Sequence, residues 1–550
     1  MPRINSAAEL EKLRKEIISK KDPDKPCIAV CSGTACLGLS NGQVIKAFEE
    51  EVKKQGLEGK VDVRATGCHG FCEKGPNVLI YPEEICYVEV KPEDVPEIVS
   101  TTIIGKKPLE RLLFNDPATG RKVHQSEIPF YTKQVRNLLG NNPRINPESI
   151  DDYIALGGYS ALSKALFEMT PEQVLEEIKK ASLRGRGGGG FPAGSKWETA
   201  RNAPGDVKYV IVNGHEGEPG AFMDRALFQG NPHCILEGLI IGAYTIGAHQ
   251  GFIYTRHDSP HLRKSIETAL AKAEEYGFLG DNIMGSGFSF NIEVHLDVGI
   301  FVSGESSALM RSIEGRAPEP RPKYIRTSVA GIYDKPSNLN NVETWANVPQ
   351  IISKGSEWYA GIGTEGSKGT KLISMYGSIV NTGVIEVPFG ITLREIIYDI
   401  GGGIRNGKKL KAVHFGAAMG GSIPADMIDT PLDFDDMSKL GAAIGAGGLF
   451  VIDEDTDMVE MTRFFLDFLT NESCGKCVPC REGIRQMLKI VTRISEGKGK
   501  EGDIELLEEI CEVTKAASLC SLGKTASSPI YSSLRHFRNE YEANIVRESE

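Results

Sequence analysis

Eight of the twelve cysteines in this 550-residue chain fall into two quartets near its opposite ends. Cys31, Cys36, Cys68 and Cys72 form the first, and Cys474, Cys477, Cys480 and Cys520 the second. Clustered thiols of this kind fit metal ligation in a reducing compartment better than a disulfide framework. Each quartet also constrains the fold, because loops must bring four sulfurs to one place. In the first, Cys31 to Cys36 leaves four residues between thiols and Cys68 to Cys72 leaves three, each pair following a strand-like run. Four thiolates at the end of one small sheet suit a [2Fe–2S] cluster. Zinc is the alternative, but its Cys₄ sites favour two short Cys-x-x-Cys knuckles. In the second, Cys474-Gly-Lys-Cys477-Val-Pro-Cys480 is the tight ligand run of a [4Fe–4S] site. Cys520, at a helix-terminating turn, is its natural fourth ligand, and Cys511, in the middle of a helical stretch, is the competitor. Two such clusters in one chain predict single-electron transfer.

Composition narrows the rest. Hydrophobic residues make up 40% and charged residues 25%, the balance of a globular chain. The length predicts roughly three to five domains. No apolar run reaches the ~18 residues of a membrane helix; the best candidate, 234–248, is interrupted by Glu237. The N-terminus carries no apolar signal core, which predicts a cytoplasmic protein without membrane insertion. A net charge of −11 with no basic stripe argues against nucleic-acid binding. Periodicity predicts an N-terminal helix within 1–23, a small α/β domain over 24–110, and a polar connector over 111–150. A Gly-rich centre with many short strands follows over 151–364, then a compact α+β module over 365–445 and a helical region over 446–550.

The centre carries the most unusual local sequence, Leu183-Arg-Gly-Arg-Gly-Gly-Gly-Gly-Phe-Pro-Ala-Gly-Ser-Lys196. Glycines let backbone N–H groups approach a ligand, often a phosphate. A helix precedes this run where a dinucleotide fingerprint needs a strand, and no Gly-Lys-Ser/Thr closes it as in a Walker loop. Next comes Val212-Asn-Gly-His-Glu-Gly-Glu-Pro219, in which Glu216 and Glu218 share a face of an extended turn. Gly304-Glu-Ser-Ser and Asn340-Asn-Val-Glu-Thr344 are further polar turns leading into helices.

Taken together, Arg184 to Trp197, Asn213 to Glu218, Gly304-Glu305, Asn340 to Thr344 and the second quartet resemble the flavin subunit of respiratory complex I. They equally resemble its soluble relatives in hydrogenases and formate dehydrogenases. The first quartet resembles the thioredoxin-like [2Fe–2S] module fused to several of those relatives. The resemblance covers roughly residues 26–530. It implies an α/β multidomain fold: a thioredoxin-like ferredoxin domain, an α/β FMN- and nucleotide-binding domain, a ubiquitin-like α+β domain and a C-terminal helical bundle with an iron–sulfur cluster. It implies FMN, NAD(H) or NADP(H), [4Fe–4S] and [2Fe–2S] as cofactors. By carry-over, Gly185, Arg186, Gly187, Lys196, Asn213, Glu216, Glu218, Asn340, Asn341 and Thr344 surround the flavin, while Phe191, Lys196, Glu218 and Lys323 hold the dinucleotide. His215, Phe301, Gly304, Glu305, Ser306, Arg326 and Leu339 complete the cofactor-binding set, with Glu216, Glu218 and Lys196 at the reacting rings.

The implied activity is a diaphorase: hydride exchange between NAD(P)H and flavin, then electron release through the clusters to a partner. The implied partners are a small [2Fe–2S] subunit and a hydrogenase-, formate-dehydrogenase- or ferredoxin-type catalytic subunit. Four positions depart from the family pattern. His215 replaces an Asp, Ser306 a second Glu, and Thr199 and Arg326 aromatic residues. Loss of a carboxylate at Ser306 and gain of Arg326 move the site toward NADPH, whereas stacking of Arg326 on adenine would leave NADH as substrate. An electron-relay adaptor with a degenerate nucleotide site and a zinc-stabilised scaffold are the readings from other classes.

Overall fold

A computed structural model describes residues 3–116, 119–322 and 324–546. Lys323 therefore lies outside the described residues. The first sheet has four strands in the order Asp62–Thr66, Cys27–Cys31, Val78–Tyr81, Ile85–Tyr87. The first pair is parallel and the others antiparallel. Helix Asn41–Lys54 covers one face through Val44, Phe48 and Val52. This is the thioredoxin-like unit expected for the first quartet.

The central region is more helical than its glycine content suggests. One four-stranded, all-parallel sheet, ordered Ser337–Asn341, Tyr209–Gly214, Gln250–Thr255, Asn291–Leu296, replaces the many short strands expected. Val210, Ile211 and Val212 are fully buried, the near-continuous apolar run of a strand covered on both faces. Helices Pro232–Ile246 and Val342–Lys354 pack together beneath it, Gly238 and Gly242 giving way to Trp345. The helix Pro171–Lys180 that leads to the Gly-rich run starts at a capping box, Thr170 and Gln173 exchanging side-chain-to-backbone bonds. The N-terminal helix Ala7–Ser19 belongs to this core through Leu10 and Ile17, with Arg14 donating to the carbonyls of Ile154 and Gly158.

The third sheet is mixed, ordered Gly383–Pro388, Thr370–Gly377, Gly448–Asp453, Leu410–Phe415, Gly421–Pro424. Its central strand Gly448–Asp453 lies beyond the boundary expected at residue 445, which moves to the far side of Asp453. The Gly-rich approach to Leu449-Phe-Val-Ile452 masks this strand in the sequence. The rest is the expected helical unit, Met458–Glu472, Val478–Ser495, Asp503–Ala517 and Ser528–Glu542. The connector is not merely polar: Phe114–Asp116 pairs with Gly120–Lys122, and Phe114, Phe130 and Tyr131 bury against the ubiquitin-like core.

Candidate functional site

The first quartet sits where the small sheet runs out. Cys31 ends its strand, Cys36 lies on the helical turn Thr34–Gly38, and Cys68 and Cys72 follow Asp62–Thr66. Cys31 is held well below the usual thiol range by hydrogen bonds from the Cys36 and Cys68 thiols, which are correspondingly pushed up. The backbone N–H of His69 also points to Cys31 Sγ at 3.4 Å. A Cβ at Gly33 would stand 2.9 Å from Cys68 Sγ, so glycine is what lets these loops close. Cys27, at the opposite end of the same strand, borders Arg64 and Asp62 instead. His69 bonds Thr66 rather than facing outward as a ligand. The loop packs against the ubiquitin-like sheet, with Val384 N–H donating to Gly70 at 2.8 Å.

The second quartet rings a small cavity with Val302, Pro320, Ser473, Lys476 and Leu522. Cys477 caps helix Val478–Ser495, Cys480 lies in its first turn, and Cys520 precedes the short helix Ser521–Thr525. The backbone N–H groups of Leu522 and Gly523 point to Cys520, and Ser473 Oγ lies 3.2 Å from Cys480 Sγ. Burial pushes the Cys480 thiol up to about 12, so without metal it is protonated, and ligation must supply the charge that releases the proton. Donors aimed at sulfur, in a pocket with a sulfur on several sides, fit an anionic iron–sulfur cluster. Cys511 is buried elsewhere, 3.3 Å from Met487 Sδ.

Between the quartets, two neighbouring cavities open at the carboxyl ends of the parallel strands, where α/β sheets bind ligands. The inner cavity, about 150 Å³, is walled by Gly187, Asn213, His215, Glu216, Glu218, Asp224, Phe301, Gly304, Glu305 and Asn341. Glu216 is fixed by the backbone N–H groups of Asp224 and Arg225 and by the Arg225 guanidinium. Glu218 Oε2 is buried with no protein partner. Burial, then the charge of Glu216, pushes Glu218 up to about 7. Such an orphaned acceptor, beside the amide of Asn213, fits the N–H and hydroxyl groups of a flavin. Glu305 caps helix Ser306–Ile313 by accepting from Ser307 and Ala308 N–H. The outer cavity, about 330 Å³, is lined by Phe191, Lys196, Thr199, Ser306, Ser307, Arg321, Arg326 and their neighbours.

Several expected residues stand apart from the inner cavity. The Arg186 side chain is fully buried and turns away, bonding the carbonyls of Arg184, Lys368 and Thr370 and the Tyr359 hydroxyl. Its cation lies 4.8 Å from the centre of the Phe389 ring, so it ties the centre to the ubiquitin-like unit. Its backbone N–H donates to Thr344 Oγ1 at 2.9 Å. The Asn340 amide bonds Trp197 Nε1 and the Leu339 carbonyl, which also accepts from Lys196. Gly185 is held by Phe191, its N–H donating to that carbonyl at 2.9 Å. Other wall residues escape the sequence. Met419 and Ala446 come from the ubiquitin-like unit and Ser521 and Leu522 from the helical one. No local motif marks them, because only docking brings them in. Asp224, hydrogen-bonded by Asn341 at 2.6 Å, follows the carboxylate turn closely enough that its nearness to Glu216 could have been suspected.

Comparison with known proteins agrees with this geometry. The Nuo51 FMN-binding domain family matches residues 178–350, the NADH-ubiquinone oxidoreductase-F iron–sulfur binding region matches 460–544, and the thioredoxin-like [2Fe–2S] ferredoxin family matches 16–102. The chain is 47% identical over 413 residues to NADP-reducing hydrogenase subunit HndC of Solidesulfovibrio fructosivorans, covering 75% of this chain and 84% of that protein. It is 42% identical over 408 residues to the F 2 subunit of the NADH-quinone oxidoreductase of Rhizobium meliloti (strain 1021), covering 74% and 97%. A crystal structure of an NAD⁺-reducing [NiFe]-hydrogenase in the H₂-reduced state superposes with a TM-score of 0.68 at 25% identity, over 99% of this chain and 91% of that one. The chain therefore belongs to the family of FMN- and iron–sulfur-containing NuoF-type subunits of NADH-quinone oxidoreductases and their hydrogenase counterparts.

Proposed function

We propose that the chain exchanges a hydride with NAD(P)H in the two neighbouring cavities and passes electrons through the Cys474 cluster to a partner redox subunit. The observation that carries this is a shared wall: Val302 and Leu522 line both the inner cavity and the cysteine ring. Bound FMN supplies hydride acceptance at the nucleotide side and single-electron release at the cluster side. The protein's part is position and charge. Asn213, Glu216 and Glu218 would orient the flavin, Gly187 would let backbone approach it, and Phe191 and Lys196 would hold the dinucleotide. Glu216, already committed to Asp224 and Arg225, acts as a positioning carboxylate rather than an acid or base. The Cys31 cluster would serve as a second relay or as the contact to a hydrogenase-type or small [2Fe–2S] partner in the cytoplasm. Among the described residues no helix is long and apolar enough to cross a membrane.

A second reading concerns the nucleotide. Lys196, Arg321 and Arg326 line the outer cavity with Ser306, Ser307, Thr327 and Ser328, and its lining includes no carboxylate. That wall favours a 2′-phosphate, hence NADP(H). Arg326 lies 5.8 Å from the Phe191 ring centre, a cation placed beside the aromatic that would hold the nucleotide.

The test is an anaerobic titration of the holoprotein followed by low-temperature EPR. Flavin absorbance should bleach with NADH or NADPH, and signals of both clusters should follow. Flavin that stays oxidised with both nucleotides would leave only the relay adaptor, and a colourless iron-free protein the zinc scaffold.

A further inference from the structure

A hydride brings two electrons and one proton, but iron–sulfur clusters carry only electrons away. The balance is NAD(P)H plus two oxidised clusters giving NAD(P)⁺, two reduced clusters and one H⁺. That proton starts in a buried cavity and must reach water, and it must return when the reaction runs backward. The structure contains one chain of titratable groups suited to this. His215 forms part of the inner cavity wall, and its side chain is 1% exposed. Its Nε2 lies 2.9 Å from Asp297 Oδ2, a fully buried carboxylate. Asp297 Oδ1 lies 2.5 Å from His257 Nδ1, and the His257 side chain is 49% exposed. Water, His257, Asp297, His215 and the cavity thus follow in sequence.

The arrangement arises from strand register. Gly214, Thr255 and Leu296 are aligned partners on three adjacent parallel strands, and the three relay residues come one or two positions beyond them. The chain also lies at the sheet's ligand-binding edge. Both ring nitrogens of His215 are buried without a hydrogen-bond partner, Nε2 meeting Asp297 Oδ2 as an ion-pair contact at 2.9 Å and not as a hydrogen bond. A Cβ at Gly304 would stand 2.7 Å from Nδ1, so glycine there keeps the ring's cavity side open.

We propose that His257, Asp297 and His215 form the route by which this proton passes between the flavin cavity and solvent. The inference rests on the flavin reading above. Moving outward, His215 takes the proton at Nδ1, and a small turn of its ring that aligns Nε2 with Asp297 Oδ2 lets it release its Nε2 proton there. Asp297 passes a proton to His257 Nδ1, and His257 loses one to water from Nε2. Each passage moves one proton and no electrons, and ring tautomers reset before the next. Burial pushes Asp297 up, but the His215 ring, the His257 N–H and the His257 ring together outweigh it and hold the carboxylate well below its usual range. Asp297 is therefore an anion placed between two imidazoles. The other charges facing the chain are fixed: Arg256 is paired with Asp258, and Glu216 with Arg225. Tyr254 and Phe301 stand against His215 as aromatic walls, each with its centre 6.3 Å away. Glu218, Asp224 and Glu305 are the other titratable groups on the cavity side.

The test is stopped-flow on the holoprotein with His257→Ala. Flavin bleaching by NAD(P)H, which needs no proton exit, serves as the internal control and should match the parent. Flavin reoxidation by ferricyanide, which takes electrons only, should slow by about tenfold or more. It should show a larger solvent deuterium effect and recover with added imidazole. His257→Gln, which keeps a hydrogen-bonding group but carries no proton, should behave like the alanine variant. Flavin midpoint potentials measured spectroelectrochemically should stay at parent values across pH, because a relay changes rates and not equilibria. Unchanged reoxidation, a slowing that imidazole does not relieve, or a displaced potential would overturn the relay. Failure of the parent protein to bleach would instead overturn the flavin reading, and the relay with it.

Discussion

Val302 and Leu522 both belong to the partition between the inner cavity and the cysteine ring, each lining both. Val302 arrives on the turn Phe301–Gly304 that ends in the glycine beside His215, and Leu522 on the short helix that begins at Cys520. These apolar side chains therefore lie between the inner cavity and the nearest sulfurs. Water is excluded there, since Val302 is 2% and Leu522 4% exposed.

The proposal that Cys520 is the fourth ligand gives the first prediction. Cys520→Ser should lose the iron and the EPR signal of the C-terminal cluster while keeping those of the N-terminal cluster. The flavin should still bleach with nucleotide, but electron delivery to an acceptor served by that cluster should fall at least about tenfold, equivalent to ~1.4 kcal/mol. Cys511→Ser should keep the cluster, because the Cys511 thiol is spent on core contact with Met487. Iron analysis and EPR on the two variants decide between the ligands.

How far the sequence exposes this site depends on whether local or tertiary order makes it. Thiol spacing is local, so both quartets were legible, as was the separate place of Cys511. Turns such as Asn213 to Glu218 and Glu305 to Ser307 were legible for the same reason. Arg186 was not: a charged residue amid phosphate-type glycines reads as a ligand contact, and only docking of the ubiquitin-like unit offers it the carbonyls of Lys368 and Thr370. The His215–Asp297 approach was equally hidden, because parallel-strand register sets it across more than eighty intervening residues. His215 drew notice only as a departure from the family pattern, without a partner to explain it.

The docked interface can be tested through Lys371 and Glu343, a fully buried ion pair joining the ubiquitin-like strand to helix Val342–Lys354. Glu343 also accepts from Leu372 N–H and lies 3.7 Å from Arg186. Lys371→Met strands a carboxylate in the interior and should cost about 3–5 kcal/mol. Adding Glu343→Gln should restore much of that loss, because the amide needs no counter-charge. Urea midpoints of the two variants against the parent, with flavin content followed in parallel, measure both effects.

Glu218 predicts a pH dependence. Its folded value, pushed up to about 7 from 4.5 in the unfolded chain, means that the folded state binds its proton more tightly. The sign follows: this contribution is fully present below 4.5 and is lost as pH rises through 7. Its full span is about 3 kcal/mol. In flavin-free protein, Glu218→Gln should remove this fall, so the variant gains on the parent between about pH 5 and 8. Parallel stability–pH curves for variant and parent would show Glu218 to be ionised and satisfied in the fold.

The NADP(H) reading turns on Arg326. A charged hydrogen bond to a 2′-phosphate is worth ~1.5–3 kcal/mol, so Arg326→Ala should lower kcat/KM for NADPH by about tenfold or more. NADH, which carries no group there, should change by less than about threefold, within the spread expected of an exposed substitution. If the cation instead stacked on adenine, both nucleotides would weaken together, because each presents the same ring. Arg326→Lys separates charge from shape: a point charge retains part of the NADPH advantage, while a planar stacking role does not survive the exchange. Steady-state rates for the three proteins with both nucleotides and an artificial acceptor settle which group the arginine meets. A strong NADH preference left untouched by Arg326→Ala would remove the phosphate reading altogether.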